Sequence, residues 1–363
     1  MSTTAAGSVT STVAQLHASA TVVDAHNDLL MACTRHRHAE QAHYFRTAWL
    51  PQLRAGGVKV QVLPVFIDAD HRPEGALRQT LQMLETGWRI AAGNADTVTV
   101  CVDGADIEQT LAEGRIALVL ALEGCEAVGT DVGLFETMHR LGVRMASFTH
   151  FGRTALADGS AEDAAGSRLT SAGIEAVAAC EELGIMLDVS HLGATCTDHL
   201  LELATRPLVA SHSSAYALRA HHRNLTDDRI RGIAGTGGVV GVNVLATFVD
   251  ENDHTVRRVG DHIDHVASLV GPGHVGLGPD FIKEVSSVLD RPGDVEWGLK
   301  SRRPYVPELE GPAGLPHVTA ELSHRGWSDD DVRSALGGAF HRLFSTELGV
   351  PASARRGATE ENA

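Results

Sequence analysis

Seven residues able to bind metal or carry protons stand at the ends of apolar runs. His26 and Asp28 follow Val22-Val23, Glu123 follows Ile116–Leu122, and His150 follows Val143–Thr149. His191 follows Ile185–Ser190, His212 follows Leu208–Ser211, and Asp280 follows Val275–Gly278. On an extended chain residues i and i+2 point the same way, so His26 and Asp28 can reach one ion. Imidazole and carboxylate without thiolate suit Zn, and also Mn, Fe or Co. The set holds more His than one ion needs. It points to two ions about 3.5–4 Å apart with Glu123 as the bridge. His26 and Asp28 would serve one ion, and His191 and His212 the other. A water shared between two cations loses its proton near neutral pH, giving a metal-bridging hydroxide as nucleophile. Asp280 is left to take that proton and hand it to a leaving amine. His150 is left to stabilise charge on the attacked carbonyl oxygen.

These residues share a cavity only if the strands carrying them converge. A lone His after a strand is more often a hydrogen-bonded structural residue than a ligand. Seven such residues at six strand ends make a joint argument. Two further apolar runs, Val58–Ile67 and Gly238–Asn243, bring the strands to eight. Helical patterns fall between them: Leu77–Ala92, with Leu77, Leu81, Leu84 and Trp88 on one face, then Val132–Leu141, Thr170–Leu183, Thr195–Ala204, Leu225–Ala234 and Asp261–Val270. Leu315–Leu322 and Asp329–Leu343 read as closing helices, and Thr226 and Ser328 as helix caps. Eight strands alternating with helices predict an α/β fold, a (β/α)8 TIM barrel whose strand C-termini open on one face. A doubly wound sheet is the alternative, but no Gly-x-Gly-x-x-Gly follows any strand.

No repeat or shift of composition divides the chain, so residues 21–345 are expected to form a single domain with long loops at 29–51 and 283–316. Residues 1–20 are read as a flexible segment and 346–363 as a disordered tail. The chain has 363 residues, 43% of them hydrophobic, enough for a large core. Its 46 acidic and 30 basic residues give a net charge of -16, which argues against nucleic acid or an anionic membrane as partner. The five cysteines, at 33, 101, 125, 180 and 196, form no CxxC pair. With no signal-peptide pattern at the N-terminus and no apolar stretch of about twenty residues, a cytoplasmic location with reduced thiols is expected.

Val23-Asp24-Ala25-His26-Asn27-Asp28-Leu29, Leu122-Glu123-Gly124, Phe148-Thr149-His150-Phe151-Gly152 and Leu187-Asp188-Val189-Ser190-His191 resemble successive motifs of the renal (membrane) dipeptidase family. So do Ala210-Ser211-His212-Ser213, Arg223-Asn224-Leu225-Thr226-Asp227-Asp228, His274-Val275-Gly276-Leu277-Gly278 and Gly337-Gly338-Ala339-Phe340. The resemblance runs from about Val22 to Phe344. It implies an amidohydrolase-type barrel with two zinc ions per chain, and hydrolysis of dipeptides, often with tolerance for a C-terminal D-residue. The family's metal ligands fall on His26, Asp28, Glu123, His191 and His212, with Glu123 bridging. Its acid/base falls on Asp280, and its substrate-contacting residues on His150 and Arg223. A guanidinium fork at Arg223 suits a terminal carboxylate. A homodimer is likewise implied by the resemblance alone.

Three departures bear on the substrate. Where the family commonly has Gly-Ser-Asp-Phe-Asp-Gly, this chain reads Gly278-Pro279-Asp280-Phe281-Ile282-Lys283. Cys125 stands where a Gly is usual, as a packed small hydrophobe or a soft ligand. The signal peptide, disulfides and lipid anchor of animal members have no counterpart in the sequence. Two other readings remain open: the same centre acting on another small amide or lactam, as in a biosynthetic tailoring step, and a non-catalytic metal-bound scaffold. Two aromatic- and charge-bearing loops are expected to set the substrate, one with His36, His38, His43, Tyr44, Phe45 and Trp49, the other with Trp297, Lys300, Arg302, Arg303 and Tyr305. If the second loop is a lid or an oligomer contact, deleting Asp290 to Pro312 changes steady-state kinetics or subunit assembly. Unchanged values of both would contradict that role.

Overall fold

The apolar runs pair side by side, all in one direction. The computed structural model describes residues 4–288 and 305–354. Its strands are β1 (Val22–Asp24), β2 (Val58–Phe66), β3 (Val98–Val100), β4 (Ile116–Glu123), β5 (Val143–Ser147), β6 (Met186–Asp188), β7 (Val209–Ala210), β8 (Val239–Val242) and β9 (Val275–Leu277). They hydrogen-bond in the order β1-β2-β4-β5-β6-β7-β8-β9, every pair parallel. The short β3, absent from the sequence reading, pairs with the start of β4 on the edge that β5 occupies further along. The last strand returns to the first. Ala25 N donates to Leu277 O (3.1 Å), Asp280 N donates to His26 O (3.0 Å), and Asn27 and Phe281 form a parallel bridge. The result is a nearly closed (β/α)8 barrel.

Alternation along the strands fills its interior. Val23, Ala25, Val60, Val62, Ala117, Val119, Ala121, Met145, Met186, Val209 and Val239 form one buried cluster. The helix Ala339–Glu347 adds Phe340, Leu343 and Phe344 to it, beside Cys101 and Ile107 near the start of β4. That end of the barrel is therefore apolar and plugged. Gly278 is needed just after β9, because a Cβ there would lie 1.6 Å from the carbonyl oxygen of Ser211, just after β7.

Several sequence expectations need correction. Residues within the supposedly flexible segment 1–20 form the helix Thr4–Ser19. Leu16 is buried, and the buried His17 ring lies between Thr319 Oγ1 (2.7 Å) and Gly56 O (3.0 Å). The region 29–51 is mostly helical: Leu29–Thr34, Gln41–Tyr44, a π-turn at Phe45–Trp49 and Leu50–Ala55. The region 283–316 opens with the helix Lys283–Val288 and closes with 3-10 turns at Pro307–Leu309 and Pro312–Gly314. Trp297, Lys300, Arg302 and Arg303 lie outside the described residues. The segment 346–363 is anchored at its start. Leu348 is buried, and Arg206 donates to Glu347 O (3.0 Å) and to Val350 O.

The expected apolar face of Ala76–Gly93 is also displaced. Leu77, Leu81 and Trp88 are 40%, 41% and 39% exposed, and the buried side carries Ala76, Thr80, Met83, Leu84, Gly87 and Ile90. The contact face runs through Gly87, where the helix lies so close to the sheet that an added Cβ would come 2.8 Å from the Leu120 side chain. Of the expected caps, Ser328 Oγ accepts from Asp331 N, whereas Thr226 holds its helix's N-cap position without a side-chain capping bond. Thr170 Oγ1 also accepts from Gly173 N, and Gly184 ends that helix at φ 73°. No helix among the described residues is long and apolar enough to cross a membrane.

The plug yields the first prediction. Phe340 is fully buried, so Phe340→Ala should cost about 3–5 kcal/mol through lost burial and the cavity left behind. Urea denaturation measures this. A loss below about 1 kcal/mol would mean the barrel does not depend on its plug.

Candidate metal centre

Six of the strand ends meet at one cavity of about 390 Å³. Asp28, Glu123, His150, His191 and Asp280 line one part of it, and Phe66, Phe151, Leu245, Phe248 and Ile282 the rest. His26 and His212 are buried against the polar part. A single carboxylate oxygen lies at the centre. Glu123 Oε1 is 2.9 Å from His191 Nε2, 3.3 Å from His26 Nε2 and 3.5 Å from His212 Nε2. His26 Nε2 is 3.9 Å from Asp28 Oδ1. The ligand atoms cluster within 4.8 Å in three overlapping groups: His26, Glu123 and His212; Glu123, His150 and His191; and His26, Asp28 and Asp280. In these groups the His212 ring lies tilted against His26 (3.7 Å between centroids, 34°) and the His191 ring against His150 (4.2 Å, 33°).

Local structure explains how each side chain arrives. Glu123 continues the inward series Ala117, Val119, Ala121 at the end of β4. His26 and Asp28 reach the cavity by a turn and not along an extended strand, because β1 ends at Asp24. Asp24 makes that turn: its Oδ1 accepts from His26 N (3.1 Å) and its Oδ2 from Asn27 Nδ2 (3.1 Å). Asn27 Oδ1 accepts from Leu29 N (3.0 Å), where the next helix starts. Asp28 occupies that helix's N-cap position but makes no capping bond, so its carboxylate is free for the cavity.

Among the described residues, His191 (φ 68°) and Asp280 (φ 63°) are the two non-glycines in the left-handed region. Such strain costs of order 1–3 kcal/mol per residue and persists only where surroundings enforce it. His191 O accepts from Ser160 N (2.8 Å). Asp280 is held by its N–H on His26 O and by Asn243 Nδ2, which donates to its Oδ2 at 2.8 Å. Asn243 is fixed in turn, its Oδ1 accepting from Leu245 N (2.7 Å).

His212 is oriented by Asp188. Asp188 Oδ1 accepts from Ser190 N and Ser211 N, both at 2.9 Å, and Oδ2 accepts from the Ser211 hydroxyl. Ser211 Oγ also lies 2.7 Å from His212 Nδ1. The hydroxyl proton is already committed to Asp188, so Nδ1 must be the donor in that contact. The neutral ring then carries its lone pair on Nε2, the atom that faces Glu123. Asp24, Asp188, Ser190, Ser211 and Asn243 were quoted at most as motif letters in the sequence. Their adjacency to His26, His191, His212 and the strand ends was the available signal.

The electrostatics suit cations. Burial and then the Glu123 charge raise Asp28 well above the usual carboxylate range, and burial raises Asp280 as well, against the pull of His26. Burial alone would lower His26, but Glu123, Asp28 and Asp280 push it up to about 10. Burial opposes the charge on Glu123, yet His26 and His191 hold it well below its ordinary value. Burial keeps His150, His191 and His212 neutral, with His191 down to about 3. Three carboxylates therefore crowd a site with three neutral imidazoles and the charged ring of His26. His26 Nε2, His212 Nε2 and Asp28 Oδ1 are buried without a hydrogen-bond partner, as expected of atoms built for a metal. Cys125 is fully buried with its thiol on Ser147 O (3.3 Å), a packed hydrophobe and not a ligand.

Arg223 is set one layer back. It is 4% exposed, donates to His212 O (3.2 Å), and lies over the rings of Phe151 (5.8 Å) and Phe248 (5.6 Å). It lines a separate cavity of about 770 Å³ with Asp163, Tyr216, His222 and Arg229. Burial lowers its guanidinium to about 10.

The membrane dipeptidase family (peptidase family M19) matches residues 10–300. Dipeptidase aclJ of Aspergillus oryzae is 28% identical over 346 residues, covering 89% of this chain and 77% of the relative. The structure is similar to that of a metallopeptidase from Rhodobacter sphaeroides liganded with a phosphinate mimic of the dipeptide L-Ala-D-Ala. The two are 25% identical with a TM-score of 0.78, over 90% of this chain and 99% of the other. It is also similar to dipeptidase AC, a metallopeptidase of family M19, at 26% identity and a TM-score of 0.77, over 91% and 99% of the two chains.

The Asp188–Ser211–His212 chain gives a prediction of its own. Ser211→Ala removes the acceptor that fixes the His212 tautomer, and should weaken divalent-cation affinity about 10–100-fold. Competition titration against a chromogenic chelator measures it. Unchanged affinity would show that this chain orients nothing.

Proposed function

The chain belongs to the membrane dipeptidase family, and from that premise we propose that its barrel-mouth cavity hydrolyses the peptide bond of dipeptides, using two zinc ions held by His26, Asp28, Glu123, His191 and His212. The observation that carries this reading is the single oxygen of Glu123 within 3.5 Å of three imidazole Nε2 atoms. A bound pair of cations at such a site acidifies water toward neutral pH and polarises a carbonyl. Glu123, low in proton affinity and flanked by rings from three strands, would be the group shared between them.

The remaining residues handle protons and charge. Asp280 has one oxygen occupied by Asn243, which leaves the other for chemistry. Its raised proton affinity lets it accept a proton from the nucleophile and return it to the departing amine. His150 is neutral, buried and without a partner at Nδ1. It meets the charge that develops on the carbonyl oxygen. Arg223, packed behind the Phe151 and Phe248 rings, is the group assigned to a substrate carboxylate. All five cysteines are free and buried, which suits a reducing, cytoplasmic setting. Light scattering tests the homodimer that the family suggests. A second reading, cleavage of another small amide or lactam by the same centre, is favoured by one feature: apolar Ile282 lines the cavity where the family commonly has an acid.

Asp280→Asn should lower kcat on dipeptides by about 10²–10⁴-fold with about two zinc ions per chain retained. Ninhydrin assay of released amino acids, paired with elemental analysis, measures both. Full activity in the variant would remove Asp280 from the reaction. Chelation should abolish turnover and zinc should restore it; turnover that survives complete metal removal would contradict the metal-dependent reading.

A further inference from the structure

We infer that the cavity selects a dipeptide with an apolar side chain, and that Ile282 is the residue that sets this preference. The inference rests on the dipeptidase reading and deepens it. The cavity has two chemically distinct parts. Every titratable group lining it belongs to the cluster around Glu123: Asp28, Glu123, His150, His191 and Asp280. The remaining lining side chains, Phe66, Phe151, Leu245, Phe248 and Ile282, have no polar atom.

Leu245, Phe248 and Ile282 form a buried cluster of their own, separate from the barrel interior and the outer core, with Phe151 and Tyr305 packed on it. This wall is rigidly placed. Leu245 N is bound to Asn243 Oδ1, and Asn243 holds Asp280. Leu245 also pairs with Tyr305 in an antiparallel bridge. Ile282 follows Asp280 by two residues, so the same turn that aims the acid/base places the Ile on the wall. A charged substrate side chain pressed here would lose its water and find no partner. An aliphatic or aromatic one would exchange water for contact.

The test is kcat/KM on Gly-X and X-Gly dipeptides, with X as Leu, Phe, Ser, Asp or Lys, using zinc-loaded enzyme. The wild type should favour Leu and Phe over Asp and Lys by about 100-fold at one of the two positions. Ile282→Asp should lower the apolar substrates about 10–100-fold and raise Lys at that same position. Ile282→Ala, which adds no charge, should lower the apolar substrates about 10-fold. Ile174→Asp, on an exposed site, should change nothing. A wild type that cleaves Asp and Lys dipeptides as fast as Leu ones, or an Ile282→Asp enzyme with an unaltered ranking, would overturn the inference.

Calorimetric binding of phosphinate dipeptide mimics bearing Leu or Asp separates the two levels. Preferential binding of the Leu mimic without hydrolysis of any dipeptide would sink the reaction and keep the apolar pocket. Hydrolysis without side-chain ranking would do the reverse. Binding of neither mimic would overturn both.

Discussion

Barrel closure between β9 and β1 is the constraint on which the site depends. The seam has no extended ladder. It is made by Ala25 N on Leu277 O, Asp280 N on His26 O, and the bridge between Asn27 and Phe281. All three contacts involve site residues or their immediate neighbours. Closing the sheet and bringing His26 to Asp280 are therefore one event. Residues 26 and 280 are far apart in sequence, and only a closed parallel sheet brings both beside Glu123 from the middle of the chain. The left-handed backbone at Asp280 is the local cost of this arrangement.

Crowding of charge is the second organising fact. Three carboxylates and several imidazoles are buried together, and unpaired buried charge is expensive. Protonation relieves the crowding in the free protein, which is why Asp28 and Asp280 are pushed up and His26 is held charged. Cations would relieve it better, because they neutralise the carboxylates and occupy the unpartnered Nε2 atoms of His26 and His212. The Asp188 and Asn243 networks hold the rings and carboxylates in place for that purpose, at the ends of rigid strands.

Much of this was legible in the sequence because it was written in apolar runs. Each run that ends in His, Glu or Asp became a strand whose end reaches the cavity, and the period of two that points Glu123 inward also fills the barrel with Val60, Val62 and Val119. What stayed hidden depended on turns or on distant partners. No pattern announces a left-handed φ at His191, or that Asp24 would fold the chain back so that Asp28 begins a helix. The Ala/Ser/Thr-rich start looked flexible because the partners of His17 are Thr319 and Gly56, far along the chain. The buried face of Ala76–Gly93 was misplaced because hydrophobic periodicity favours large residues, whereas close packing on Leu120 favours Gly87. Arg223 carried the right chemistry for a carboxylate, but its place behind two phenyl rings is a property of the packing.

The central claim is that Glu123 bridges two cations within this cluster. Anomalous diffraction at the zinc edge, from crystals of zinc-loaded enzyme, tests it most directly. The account predicts two peaks, one on each side of the Glu123 carboxylate, with His26 and Asp28 among the ligands of one and His191 and His212 among those of the other. No peak in the cavity, or a single peak that leaves Glu123 uncoordinated, would contradict it.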